Sequence, residues 1–235
     1  MATSSQFLSQ LKETTALFGL NLKVKWFNLI EFIRLFFRYY GNDRFLKIDL
    51  SLLAAYFLRN PFKISKQFLF KKGESEVYTY GETPLTTLDL IAQTCRISPK
   101  DTVYELGCGR GRTCFWLHEF IGCRVVGVDY VPTFIEKAQY VQQQFHVSAV
   151  SFKCEDFFHT DLQNATVIYF YGTCSSNIEI SKLIDRFSQL AKGTQIITVS
   201  YALTDYQPTA PFEILKRFSA PFTWGEADVY LQVKS

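Results

Sequence analysis

The clearest chemistry in this chain lies in residues 102–112, where an apolar run carrying Glu105 leads into glycines at positions 107, 109 and 111. Alternating glycines between a strand and a helix let a ligand approach the backbone closely, because no side chain stands in the way and the chain turns without steric cost. A second acid, Asp129, closes the next apolar run, Val125-Val126-Gly127-Val128, at a place where a carboxylate can accept both ribose hydroxyl protons of a nucleoside. A third acidic turn, Glu155-Asp156-Phe157, follows the run after that. The dinucleotide fingerprint G-x-G-x-x-G does not fit, since Arg112 stands where its third small residue must pack helix on strand. The pattern predicts a nucleotide-like ligand, and carboxylates beside it suit a cationic end.

The elements that must hold these residues are legible from periodicity. From residue 73 onward, short apolar or β-branched runs alternate with helical segments, the pattern of a parallel α/β sheet. Strands are predicted over 102–106, 124–128, 149–153, 166–170 and 195–200, with a last pair over 212–218 and 228–233 separated by Ala220-Pro221 and Gly225. A helix is predicted over 113–121. Thr83-Pro84 reads as a capping hydroxyl followed by proline at the first position of a helix over 85–95. Two domains follow: a helical extension over 1–72 and a catalytic domain over 73–235.

The extension is basic and aromatic. It carries twelve Lys/Arg against four Asp/Glu, or +8, so the rest of the chain carries −5 of the total +3. Between residues 24 and 40 the polar positions Lys25, Asn28, Glu31, Arg34 and Arg38 recur at three- or four-residue spacing and predict an amphipathic helix. A second apolar segment over 50–58 ends before Asn60-Pro61. Two readings stay open for these faces: packing on each other and on the catalytic domain, or a membrane-surface or acidic-partner patch built from cations interleaved with Trp26, Phe27, Phe36 and Phe37.

Composition narrows the class further. At 235 residues, with 48% hydrophobic and 20% charged residues, the chain suits one α/β catalytic domain plus an extension. The six cysteines form no C-x-x-C pair, and the three histidines no metal-binding spacing, so reduced thiols in the cytoplasm and no metal site are expected. No secretory signal and no run of ~18 apolar residues is readable. The expected location is cytoplasmic, with peripheral membrane contact through 1–72 as the alternative. The oligomeric state is not legible.

Counted from Glu105, the loop reads E-x-G-x-G-x-G and resembles that of class I S-adenosylmethionine-dependent methyltransferases. The resemblance implies a Rossmann-like, seven-stranded sheet and S-adenosylmethionine as cofactor, its ammonium and sulfonium near Glu105, its ribose on Asp129 and its adenine by Asp156 and Phe157. Gly107, Cys108, Gly109, Gly111 and Tyr130 complete the implied cofactor contacts. The segment Val77-Tyr78-Thr79-Tyr80-Gly81-Glu82-Thr83-Pro84 is similar to the lid of the histone-lysine methyltransferases named for disruption of telomeric silencing. It implies that Tyr80, Glu82 and Thr83 enclose the cofactor. Where those enzymes carry an asparagine pair and a phenylalanine, this chain has Tyr171-Gly172-Thr173, so the histone substrate is not carried over. Tyr171 is expected to line the acceptor channel.

The leading expectation is a protein-lysine N-methyltransferase acting on a basic protein segment, which the −5 of the catalytic part would attract. The alternatives are a methyltransferase for a small or lipidic acceptor at a membrane surface, and a non-catalytic binding module. No [DN]-P-P-[YF] motif for nucleobase amines stands after the fourth strand, and no nucleic-acid motif is present.

Overall fold

A computed structural model describes residues 4–74 and 76–235, with side chains from residue 22 onward. Seven strands form one sheet in the order β3-β2-β1-β4-β5-β7-β6: β1 (Thr102–Leu106), β2 (Arg124–Asp129), β3 (Val150–Cys154), β4 (Val167–Phe170), β5 (Gln195–Val199), β6 (Phe212–Phe222) and β7 (Gly225–Lys234). The first five strands pair in parallel, while β7 runs antiparallel to both β5 and β6. This is the Rossmann-like sheet that the loop implied.

The reversal at β1, with β2 on one side and β4 on the other, opens a crevice at the carboxyl ends of the strands. The central strands β1 and β4 are buried on both faces because helices cover both. The closing hairpin is longer than the sequence predicts, and Ala220 and Pro221 lie inside β6 rather than between strands. An edge strand with a partner on one side tolerates proline's missing N–H.

Helices α1 (Ser4–Arg38), α2 (Asp43–Ala55), α3 (Pro61–Lys72) and α4 (Leu85–Thr94) precede the sheet, and α5 (Arg112–Trp116), α6 (Pro132–Gln144), α7 (Asn177–Phe187) and α8 (Leu203–Tyr206) punctuate it. The helix after the glycine loop changes to π-helical winding over Leu117–Ile121. Asn60-Pro61 both separates α2 from α3 and starts α3: the Asn60 side chain accepts from Phe62 N–H, and proline fills the first position, where its missing N–H is harmless. Leu35, Tyr39, Phe45, Ile48 and Leu52 share one core with α4, α5 and the sheet, so α1 and α2 dock on the α/β fold itself.

Two sequence readings fail here. Glu31 does not lie on a solvated polar face; it is 8% exposed, and its carboxylate accepts from Thr86 N–H at 3.0 Å and Thr86 Oγ1–H at 2.6 Å. Thr83 does not cap α4. Pro84 occupies that position without a side-chain bond, and the Thr83 hydroxyl pairs with Tyr169 Oη at 2.6 Å. The first turn of α4 is capped from a distance by Glu31, an acid where the helix dipole is positive.

Candidate functional site

The glycine loop leaves β1 and turns beside the end of β2. Gly107 and Cys108 both donate their N–H groups to Val128 C=O, at 2.8 and 2.9 Å. Two glycines in the loop have different physical reasons. Gly107 has φ +79° and open space where a Cβ would stand, so it presents bare backbone to the crevice. Gly111 has φ +74°, and a Cβ there would lie 2.4 Å from the Phe152 ring, so it permits helix-to-strand packing.

Glu105, at the end of β1, is buried and accepts from Thr113 Oγ1–H at 2.6 Å and Cys114 Sγ–H at 3.1 Å. Burial pushes its carboxyl up to about 7, against the hydrogen bonds of Thr113 and Cys114, with Glu82 and Asp129 raising it further. Asp129 accepts from Gly109 N–H and Val131 N–H, both at 2.8 Å. It thereby ties the loop to the end of β2. Burial pushes it up to about 6 despite these backbone donors. Glu82 comes from the lid: burial raises its carboxyl, but hydrogen bonds and charge from Arg110 prevail and hold it below the usual range.

The two arginines of the loop are tied in opposite directions. Arg110 grips Glu82 through Nε at 2.5 Å and an η-nitrogen at 2.6 Å, and Tyr80 Oη–H donates to the same carboxylate. The Tyr80 ring covers the α-carbon of Gly109. Arg112 grips Asp49 of α2 through two contacts of 2.6 Å, and Tyr40 Oη–H donates to Asp49 at 2.7 Å. Asp49 is fully buried. Arg112, which spoils the dinucleotide fingerprint, thus fastens the helical extension to the cofactor loop.

Glu82, Thr83, Glu105, Gly107, Cys108 and Tyr171 come together around a narrow pocket of about 20 Å³, with Gly81, Arg112 and Thr113. On the other side of the lid lies a cleft of about 1080 Å³ between the catalytic fold and the extension, lined by Tyr80, Glu82 and Arg110 together with Phe27 of α1 and Leu58, Phe62 and Lys71 around α3. Asp129, Gly109 and Gly111 line neither space. Tyr130 packs against Phe68, 5.2 Å between rings, and borders neither space. Asp156 accepts from Phe158 N–H at 2.9 Å, and Phe157 packs on Phe158 and Phe170; neither lines the pocket.

Tyr171 forms the far wall. Its ring stacks on Phe222 at 5.3 Å, Phe222 stacks on Trp224 at 5.7 Å, and Trp224 Nε1–H donates to Tyr171 Oη at 2.6 Å. Gly172 follows because a Cβ there would fall 2.0 Å from the Phe170 ring. The sequence reading omitted Asp49, Arg110, Thr113 and Phe222 from the site. Two arginines inside a loop otherwise suited to a cationic ligand were the available signal, since each needs an acid; which acid is a matter of tertiary contact.

S-adenosylmethionine fits this donor set. Glu82 and Asp129 both make ionisation of Glu105 more costly, a field that a ligand bearing an ammonium and a sulfonium relieves.

Residues 105–210 match the family of the ANTKMT methyltransferase domain. Among curated relatives, the chain is 28% identical over 203 residues to the histone-lysine N-methyltransferase, H3 lysine-79 specific, of Dictyostelium discoideum, covering 75% of this chain and 11% of that protein. It is 24% identical over 131 residues to a protein-lysine N-methyltransferase of Saccharolobus islandicus (strain REY15A), covering 55% of this chain and 80% of the relative. An RNA methyltransferase from Salinibacter ruber, solved with S-adenosyl-L-homocysteine, shares the fold with a TM-score of 0.55 at 24% identity, over 66% of this chain and 94% of that one.

Proposed function

We propose that this protein, whose domain is of the class I S-adenosylmethionine-dependent methyltransferase kind, is a protein-lysine N-methyltransferase. The observation that carries the reading is Tyr171 on the wall of the acidic pocket, with its ring backed by Phe222 and its hydroxyl held by Trp224. Aromatic faces attract an ammonium or methylammonium, and Tyr171 Oη, fixed by the indole N–H, retains a lone pair for an amine. Two relatives named for protein-lysine methylation support the acceptor class.

Bound S-adenosylmethionine supplies an activated methyl group on its sulfonium. The chain's residues do the rest. Glu105 and Glu82 would hold the cationic amino-acid end and Asp129 the ribose, and the bare backbone at Gly107 would give the ligand room. Tyr80 and Thr83 close the lid, and Tyr171 orients the incoming amine. Alignment and exclusion of water are the main demands of such a displacement, so no histidine or cysteine triad is required.

The test is incubation with labelled S-adenosylmethionine and a whole-cell lysate, comparing wild type with Tyr171→Phe and Trp224→Phe. Label in protein that hydrolyses to methyl-lysine, reduced in both variants, is the expected result. Label confined to RNA, or to the organic extract as the lipid-acceptor alternative demands, overturns the lysine assignment. No label anywhere, with no heat on titration of the cofactor, would instead favour the non-catalytic module.

A further inference from the structure

The amphipathic helix predicted over 24–40 is present, but it is turned the other way from a core-packing helix. Its inward face carries Glu31, Leu35 and Tyr39, while Leu22, Trp26, Leu29, Ile33 and Phe36 are between 47% and 63% exposed. These five follow one another at alternating four- and three-residue steps, which on a helix makes one continuous stripe. Phe37, beside it, is 80% exposed. A stripe this long, left bare in the monomer, calls for a partner surface.

The charges on the same segment identify that partner. Lys23, Lys25 and Arg34 are exposed beside the stripe, Arg38 is exposed nearer the packed face, and none of the four forms an ion pair among the described residues. The one acid between residues 22 and 40, Glu31, is turned inward to cap α4. Every solvent-facing charge on this stretch is therefore positive. A second copy packed on the stripe in coiled-coil fashion would bring like-charged rows together and would have to fit Trp26 and Phe36 into a two-helix seam. No helix among the described residues is long and apolar enough to cross a membrane. An apolar stripe with a tryptophan and phenylalanines, bordered by long cationic side chains, suits a helix lying in the headgroup region of an anionic bilayer.

We propose that residues 22–40 of α1 form an anionic-membrane docking surface. Phe57 and Leu58, 87% and 91% exposed, extend the apolar character to the cleft that Phe27 and Asn28 of α1 also line. Docking then places the mouth of that cleft close to the lipid surface, favouring acceptors that are themselves held at a membrane. The proposal stands whether or not the acceptor is a lysine.

The test is co-sedimentation of the full chain with neutral phosphatidylcholine vesicles and with vesicles containing phosphatidylserine. Wild type should bind the anionic vesicles and bind the neutral ones weakly. The pair Lys25→Gln and Arg34→Gln should lose roughly 25-fold in affinity, about fivefold per charge. The pair Trp26→Glu and Phe36→Glu should abolish binding while circular dichroism and cofactor titration stay unchanged, since both side chains face solvent. Equal binding by wild type and both variants overturns the proposal. So does a dimer in light scattering that Trp26→Glu and Phe36→Glu dissolves, in protein that ignores vesicles.

Discussion

Substituting Asp49 probes whether the helical extension is a structural part of the cofactor site. Asp49 is fully buried and holds the Arg112 guanidinium by two contacts of 2.6 Å, with a third bond from Tyr40 at 2.7 Å. Asp49→Ala leaves an arginine whose side chain is 19% exposed without the carboxylate that grips it and with only the more distant charge of Glu82, immediately after Gly111 of the loop. Removing one partner of a buried pair costs about 3–5 kcal/mol, and the residual exposure of Arg112 puts the expected loss near the lower end, about 3 kcal/mol. That is a large part of a stability of about 5–15 kcal/mol, and it should move the urea midpoint by about 1 M or more. Replacing both partners with apolar residues, Asp49→Leu with Arg112→Met, removes the stranded charge and should recover most of the loss. Cofactor affinity, measured by calorimetry, should fall in Asp49→Ala because the start of α5 shifts. The reasoning is refuted if Asp49→Ala unfolds within ~1 kcal/mol of wild type, or if the double variant is no better than the single one.

Three further outcomes follow from the same geometry. Asp129→Asn sets an amide donor against Gly109 N–H or Val131 N–H and removes the carboxylate charge proposed to accept the ribose hydroxyls, so cofactor affinity should drop about tenfold or more in calorimetry; an unchanged Kd would remove Asp129 from the site. Glu105 and Asp129 titrate at about 7 and about 6, above their unfolded values near ~4. The stability they confer is therefore fully present below the unfolded pKa and is lost as pH rises through the folded pKa. Urea melts of the ligand-free protein should show stability falling between about pH 4 and 7, while cofactor affinity, which needs both ionised, should rise over the upper part of that range; parallel trends would contradict the assignment. Gly111→Ala combines a left-handed φ of +74° with a Cβ 2.4 Å from Phe152, and should cost about 2–5 kcal/mol in thermal unfolding, whereas a substitution that leaves Tm in place would mean the loop relaxes freely.

Much of this protein is written locally. A strand shows itself by a short β-branched run and a loop by its glycines, because steric rules act between neighbours in sequence; β1 runs over Thr102–Leu106 as its residues predict, and Glu105, Gly107 and Asp129 lie at the strand ends. The resemblance that implied the cofactor class rests on the same short stretch. What the sequence could not decide was direction. Periodicity marked one face of α1 as apolar, yet which face turns inward depends on what waits there, and Thr86 at the start of α4 needed a carboxylate more than the core needed Trp26. Likewise Arg110 and Arg112 are two residues apart and chemically alike, but one holds the lid through Glu82 and the other the extension through Asp49. Ion pairs and long-range caps join residues tens of positions apart, so only the tertiary structure assigns them.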